Sequence, residues 1–456
     1  MPFVNESGNS DIEYLSDGMT ETLISSLSQL PNLNVKARSS VFRYKGKGTD
    51  AQTVGKELGV QAILNGRVVQ RGQDLILNVE LVEAQTENVL WSRNYNRKQT
   101  DLVSLQSEIA LDVSQKLRAQ LSGDDEKRAA KTYTVNSEAY QLYLQGRYHL
   151  NRREDRETIK ALGYFQQAID KDPDYALAHI GVADSYLLGG NLSRWENVSK
   201  ARAAAEKALE IDETLGEAHN TLANIKFWDD WDWASAERGY KRAIELAPQY
   251  STAHHWYGES LAAHGRFDES FAEYQKALEI DPLSLAISTD LGNAYYLARQ
   301  YDRAEKHLKK LKETNPNYVR THFYLGKVYE EKGMFEEAIA AYERGHVLEG
   351  RNSEEFAKAR AKVISAVKAS GARGYWQTVL NLTKEGARKN GKALNCLEAA
   401  ALHARLAESN EAFVWLEKCY EERNTELNLL RVSPQWDTIR SDAHFQNLLR
   451  RVGFPD

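Results

Sequence analysis

The sequence predicts a small α/β domain at the amino terminus followed by an all-helical superhelix of repeats. Two observations carry this. Residues 1–122 alternate helix-like and strand-like segments, whereas three prolines further on, Pro248, Pro282 and Pro316, stand 34 residues apart. Small residues share that period at Gly258, Gly292 and Gly326. A fixed period of this length marks a stacked array, in which each unit buries its apolar face only against its neighbours.

In the first part, Leu15, Met19, Leu23, Ile24 and Leu27 fall on one helical stripe within 14–29. Leu33 to Ala37 reads as a short strand. Asp50 is placed to cap a helix ending at Leu58, with Gly59 as its left-handed stop. Ala62–Val69, Leu75–Val82 and Val89–Asn96 alternate as strands, the first two joined by a glycine turn, and Leu102 to Leu121 form a second amphipathic helix. A mixed or antiparallel sheet is expected, with Pro2–Asn5 as its first strand. That strand starts so near the first residue that the chain reads as part of a longer protein.

The domain boundaries follow the change of pattern: 1–122 for the α/β domain, 123–137 for a charged linker, 138–350 for six helix-pair repeats. Residues 351–456 are expected to form irregular, repeat-like helices and a tail covering the end of the array. Each pair places Gly or Ala where two helices cross, as at Gly146, Ala183, Ala223 and Gly258, and a large ring opposite, as at Tyr240 and Tyr274. These offsets resemble the tetratricopeptide repeat, most sharply in YGESLAAHGRFDESFAEYQKALEIDP (257–282) and LGKVYEEKGMFEEAIAAYERG (325–345).

Composition excludes several classes. The chain has 456 residues, 59 basic and 65 acidic, for a net charge of -6. Residues 1–122 hold 13 basic and 14 acidic side chains, so neither part has the basic excess of a nucleic-acid binder. No apolar run is long enough to span a membrane. The expected compartment is therefore soluble, cytoplasmic or periplasmic. Cys396 and Cys419 are too few for a disulfide framework, and their apolar helix faces predict buried, inert thiols.

Catalytic, cofactor and metal motifs are absent. No GxxxxGK[ST], HExxH, CxxC or GxSxG occurs. His254 and His255 are adjacent and point about 100° apart on a helix, a poor pair for one metal. Asp229, Asp230 and Asp232 lack calcium-loop spacing and are expected in a solvated turn. The aromatic run Phe227, Trp228, Trp231 and Trp233 is expected in the core between helices.

The first helix of each pair should line a concave groove. One row of that groove is Arg147, Asp184, Asn224, Glu259, Asn293 and Lys327. A second is Tyr143, Ile180, Asn220, His255, Thr289 and Phe323. Amide and charged tips on a preformed groove suit a peptide or a partner's helix. The predicted partner-groove residues are Arg147, Asp184, Asn224, His255, Glu259, Asn293, Phe323 and Lys327, and the predicted partner is a protein or peptide, self-association included.

Residues 2–121, with Pro2, Phe3, Asn5, Asp17, Gly18, Ser39, Ser40, Gly59, Gly66, Gly72, Trp91 and Tyr95, resemble the bacterial TolB-amino-terminal-like domain. That domain is found between cyclase, kinase or winged-helix effectors and tetratricopeptide repeats. The resemblance implies the non-catalytic half of a signalling protein, acting as a scaffold or sensor. The alternative is a small-ligand sensor in the α/β domain, with the repeats serving assembly.

Overall fold

The structure, a computed structural model, describes residues 1–30, 33–117, 131–189, 192–351 and 353–454. Residues 123–130 of the expected linker at 123–137, the helix end at Leu121, and Gly190 and Asn191 lie outside the described residues.

The α/β part contains β1 (Val4–Asn5), α1 (Glu13–Ser28), α2 (Arg38–Val41), α3 (Ala51–Leu58), β2 (Ala62–Arg71), β3 (Asp74–Glu83), β4 (Val89–Lys98) and α4 (Leu102–Lys116). Its sheet runs β1-β2-β3-β4, with β1 parallel to β2 and the other pairs antiparallel. Asp50 accepts the Thr53 N–H and Gly59 stops α3 at φ 64°, as its sequence requires. Leu15, Met19 and Leu23 of α1 meet Val68, Leu75 and Leu77 of the sheet and Leu105 and Ile109 of α4 in one core. Tyr95 is buried and its hydroxyl donates to Asp112 of α4 at 2.6 Å, while Trp91 packs partly buried beside it.

Leu33 to Ala37 is not a strand. Its backbone is used elsewhere: the Ala37 N–H donates to the Ile280 carbonyl at 3.0 Å, beyond the reach of any sheet partner.

The helical part is a series of paired antiparallel helices. The six pairs are α5 (Ser137–Leu150) with α6 (Asp155–Lys171), α7 (Ala176–Gly189) with α8 (Arg194–Ile211), α9 (Gly216–Ile225) with α10 (Trp233–Leu246), α11 (Ser251–Ala263) with α12 (Phe267–Ile280), α13 (Leu285–Leu297) with α14 (Tyr301–Thr314), and α15 (Val319–Glu331) with α16 (Phe335–Leu348). The crossing glycines behave as their spacing demands. A Cβ on Gly146 would stand 2.5 Å from the Phe165 ring, one on Gly292 2.5 Å from Leu308, and one on Gly326 2.5 Å from Tyr342. Beyond them come α17 (Ser353–Lys389), interrupted by non-helical angles at Ser370 and Gly371, then α18 (Cys396–Arg405), α19 (Ser409–Glu421) and α20 (Ala443–Arg451).

The chain divides into two compact units. The first comprises Met1–Ile225, Ala234–His254 and Lys276–Ser284; the second comprises Lys226–Trp233, His255–Gln275 and Leu285–Asp456. Within the first, α1 is buried on two faces. One faces the sheet; the other, Ser16, Gly18, Thr22 and Ser26, is small enough for α5 to approach. A Cβ on Gly18 would stand 2.8 Å from Leu144, and the Thr22 and Tyr140 hydroxyls are 3.0 Å apart. The α/β core therefore continues into the first helix pair through Tyr140 and Leu144.

Within the second unit, two expectations change, for the cysteine pair and for Asp229. Cys396 and Cys419 are not free thiols: they form a disulfide between α18 and α19, because the antiparallel pair brings their Cα atoms to 5.5 Å. The tail packs Trp436, Ile439, Phe445 and Leu448 on the last helix pair, α18 and α19, and also reaches the turns between earlier pairs. Phe454 stacks on Trp233, Asn428 donates to the Phe227 carbonyl at 2.8 Å, and Arg299 pairs with Asp437. The turn at 226–230 is a π-helix that buries Phe227 and Asp229, so Asp229 is not solvated as expected.

Candidate interaction surface

The two predicted rows behave differently. Tyr143, Ile180, Asn220 and Thr289 are buried in the helix packing, and Phe323 packs on α16 against His346 and Tyr342, over Gly345. That second row holds helices together. His255 stays half-buried: its Nε2 lies 3.0 Å from the Asp290 Oδ2, while His254 turns to the Pro248 carbonyl.

In the first unit, Arg147 of α5 is not open to a partner. Its Nε donates to the Glu21 carboxylate at 2.7 Å, Asn151 donates at 2.8 Å, and the Arg38 guanidinium forms an ion pair with it at 3.0 Å. Burial alone would raise the Glu21 carboxyl, but Arg147 and Arg38 outweigh it and hold it below its ordinary range. Asp184 of α7 touches the other side of Arg147 at 3.5 Å. Asn224 is half-buried on α9. A second set of contacts ties the α/β part to the end of α12. The Ser39 and Ser40 hydroxyls both donate to Asp281, Lys36 donates to the Glu279 carbonyl at 2.5 Å, and Arg43 to the Leu283 carbonyl at 3.0 Å.

In the second unit, the groove helices α11, α13 and α15 are linked by charge. Asp290 accepts from Arg320 at 2.5 Å on one oxygen and meets His255 on the other. Glu259 stands beside this pair, and burial, with the Asp290 charge, pushes its carboxyl up to about 7. Asn293 is half-buried and Lys327 is exposed, its ammonium 5.5 Å from the Tyr324 ring centre. The carboxylate of Glu259 and the amide of Asn293 have no hydrogen-bond partner among the described residues.

Sequence reasoning missed a recurring histidine. His179, His219, His254 and His322 each place Nε2 within 2.8–3.0 Å of the carbonyl six residues earlier, at Pro173, Glu213, Pro248 and Pro316. All four stand four residues before the small crossing residue, a signal the repeat alignment contains. Their imidazoles close the ends of the preceding helices. Among the described residues no group of three or more His, Cys, Asp or Glu is arranged to hold a metal, and no helix is long and apolar enough to cross a membrane.

This architecture is that of a tetratricopeptide-repeat array: residues 227–284, 261–321 and 319–345 each match the tetratricopeptide repeat family. Residues 1–111 match the family described as HilA/YgeH-like transcriptional regulator, second domain. The chain is 31% identical over 233 residues to the putative adenylate cyclase 3 of Rhizobium meliloti (strain 1021), across 50% of this chain and 40% of that protein. It is 22% identical over 237 residues to the transcriptional regulator HilA of Salmonella typhimurium, across 51% of this chain and 42% of HilA. The chain thus spans about two fifths of the length of these relatives. Among solved structures, pilF of Pseudomonas aeruginosa aligns with a TM-score of 0.34 at 17% identity, over 57% of this chain and 96% of that one.

Proposed function

We propose that the chain is the non-catalytic, partner-binding part of a bacterial signalling protein, and that it takes a peptide or protein segment along α11, α13 and α15. The observation that carries this reading is the contrast along the predicted row. Arg147 is spent on the chain's own Glu21, whereas Glu259 and Asn293 have polar tips without partners among the described residues and Lys327 is exposed. The α/β domain is read as a signalling domain, a reading supported by its match to the HilA/YgeH-type second domain and by a putative adenylate cyclase among the relatives.

A photo-crosslinking residue at Asn293 tests this in the native host, with the exposed Lys310 on α14 as the control position. A discrete adduct from position 293, absent at 310 and lost on Glu259→Ala plus Lys327→Ala, supports the reading. Equal labelling from both positions sinks it.

One feature favours a small-ligand sensor instead. A cavity of about 460 Å³ in the α/β domain is bounded by Phe3, Lys45, Lys47, Thr49 and Asn65. Thermal stabilisation by a small anion, abolished by Lys45→Ala plus Lys47→Ala, would establish that function.

A further inference from the structure

In the first unit, the inner face of α7 and α9 holds buried polar groups that the helix packing leaves unsatisfied. Asn220 is fully buried, yet neither its Oδ1 nor its Nδ2 has a hydrogen-bond partner among the described residues. Native folds rarely leave both ends of a buried amide unmade. Glu217 lies three residues earlier on the same helical face, and it forms no hydrogen bond or ion pair with another side chain among the described residues. Across from it, Asp184 meets Arg147 only at 3.5 Å, the limit of a hydrogen bond, because Arg147 is turned to Glu21. Burial raises both the Asp184 and the Glu217 carboxyls, against the pull of Arg147 on each.

The charges do not balance. Arg147 acts on Glu21, Asp184 and Glu217 together, and Arg38 is shared between Glu21 and Asp17, so the carboxylates outnumber the guanidinium groups that face them. Lys131 acts on Glu217 but is bound to Asp212 at 2.7 Å and to Thr214 at 2.9 Å, and Arg153 reaches Asp184 only through its field. The Asp184 side chain is 27% exposed, so the site can be reached from solvent.

We propose that this face binds one organic cation, an ammonium or guanidinium group, between the Asp184 and Glu217 carboxylates, with the Asn220 amide oxygen accepting a further N–H. Charge-assisted hydrogen bonds of this kind are the strong ones, and a planar guanidinium fits two carboxylates at once. The cation has two conceivable sources, a free amine metabolite or a basic side chain of a partner's segment. Neither involves the groove of the second unit, so the proposal stands apart from the function proposed above.

Calorimetric titration of the full chain with N-acetyl-arginine amide tests it, the neutral isostere N-acetyl-citrulline amide serving as control. The expected result is binding by the arginine compound alone, weakened at least tenfold in Asp184→Asn plus Glu217→Gln and weakened further by 0.5 M salt. No binding, equal binding of citrulline, or indifference to the double variant overturns the proposal. A decapeptide with one central arginine separates the sources. Affinity equal to that of the amide points to a free cation, and affinity tenfold higher points to a partner segment. Asn220→Leu adds a readout independent of affinity: it should raise the melting temperature of the unliganded protein and abolish the shift caused by N-acetyl-arginine amide. A ligand-induced shift that survives in Asn220→Leu would contradict the placement.

Discussion

The carboxylate of Glu21 accepts a hydrogen bond from the Arg147 Nε at 2.7 Å, joining the first helix of the α/β domain to the first repeat helix across 126 residues of sequence. Asn151 donates a second hydrogen bond to it, and the Arg38 guanidinium adds an ion pair. Truncating Glu21 would leave two guanidinium groups crowded without their anion. Glu21→Ala is therefore expected to cost about 3 kcal/mol in urea unfolding, and Glu21→Gln less. The pH sign follows from the lowered carboxyl. The contribution is complete above the unfolded pKa of a glutamate and is lost as pH falls through the lower folded value. A wild-type and a Glu21→Gln protein with parallel stability profiles below pH 5 would show that this pair does not hold the domain.

Much of this was legible in sequence, and the failures have physical causes. The 34-residue period is carried by Pro248, Pro282 and Pro316 and by Gly258, Gly292 and Gly326, and paired helices stand in that stretch. The earlier repeats depart from it through longer turns and a missing proline near Glu213. The docking of α1 on α5 was not legible. Ser16, Gly18, Thr22 and Ser26 look like a solvated face, and only the tertiary approach of Leu144 and Tyr140 makes them a contact surface. The segment Leu33–Ala37 has strand-like residues, yet its backbone serves the end of α12, which local pattern cannot indicate. In the candidate groove, spacing alone points to Phe323. Spacing fixes the face of a helix but not whether a neighbour such as Gly345 is small enough to draw a ring inward.

The polar hook at Asp281 should be separable from the apolar docking. Asp281 is buried and accepts from Ser39 and Ser40, while the Leu283 N–H donates to Ser40 at 3.0 Å. Asp281→Ala removes the shared acceptor and leaves the α1 to α5 core intact. Amide exchange in residues 36–43 should accelerate at least tenfold, with exchange in α1 unchanged. Uniform acceleration through α1 would mean that hook and core unfold together.

Gly292 tests the packing of the second unit. A Cβ there would lie 2.5 Å from the Leu308 side chain, so Gly292→Leu must push α13 from α14. Overpacking of this kind costs about 2 kcal/mol or more. Gly333 is the contrasting position: its φ is 70°, and an added Cβ would meet nothing within 4 Å. Gly333→Ala should therefore cost less, through backbone strain alone. Equal melting temperatures for Gly292→Leu and wild type would place the helix crossing elsewhere.

The Cys396–Cys419 bond closes a loop with a sequence separation of 23 and sits in the core that anchors Trp436 and Phe445. In the chain-entropy account a loop of this size contributes about 3 kcal/mol. Thiol counting by mass spectrometry should find no free cysteine before reduction. The paired Cys396→Ser and Cys419→Ser change should lower the midpoint of unfolding by several degrees. Two free thiols in protein purified without reductant would exclude the bond.

Stability should also change with pH near neutrality. Glu330 accepts hydrogen bonds from Tyr342 at 2.9 Å and Tyr375 at 2.7 Å, yet burial, with Glu331 alongside, pushes its carboxyl up to about 7 against these donors and Arg405. An acid raised on folding binds an extra proton in the native state between its unfolded pKa and that value. Stability must therefore fall as pH rises through this window. Glu259, also raised to about 7, contributes in the same direction. Glu330→Gln keeps an acceptor for one tyrosine and removes the charge. Its unfolding free energy should change less between pH 5 and pH 8 than that of wild type, and Glu330→Gln plus Glu259→Gln should flatten the profile further. A wild-type protein that grows more stable from pH 5 to pH 8 by the same amount as the double variant would show that both carboxyls remain ionised, and that the groove is wetter than its packing implies.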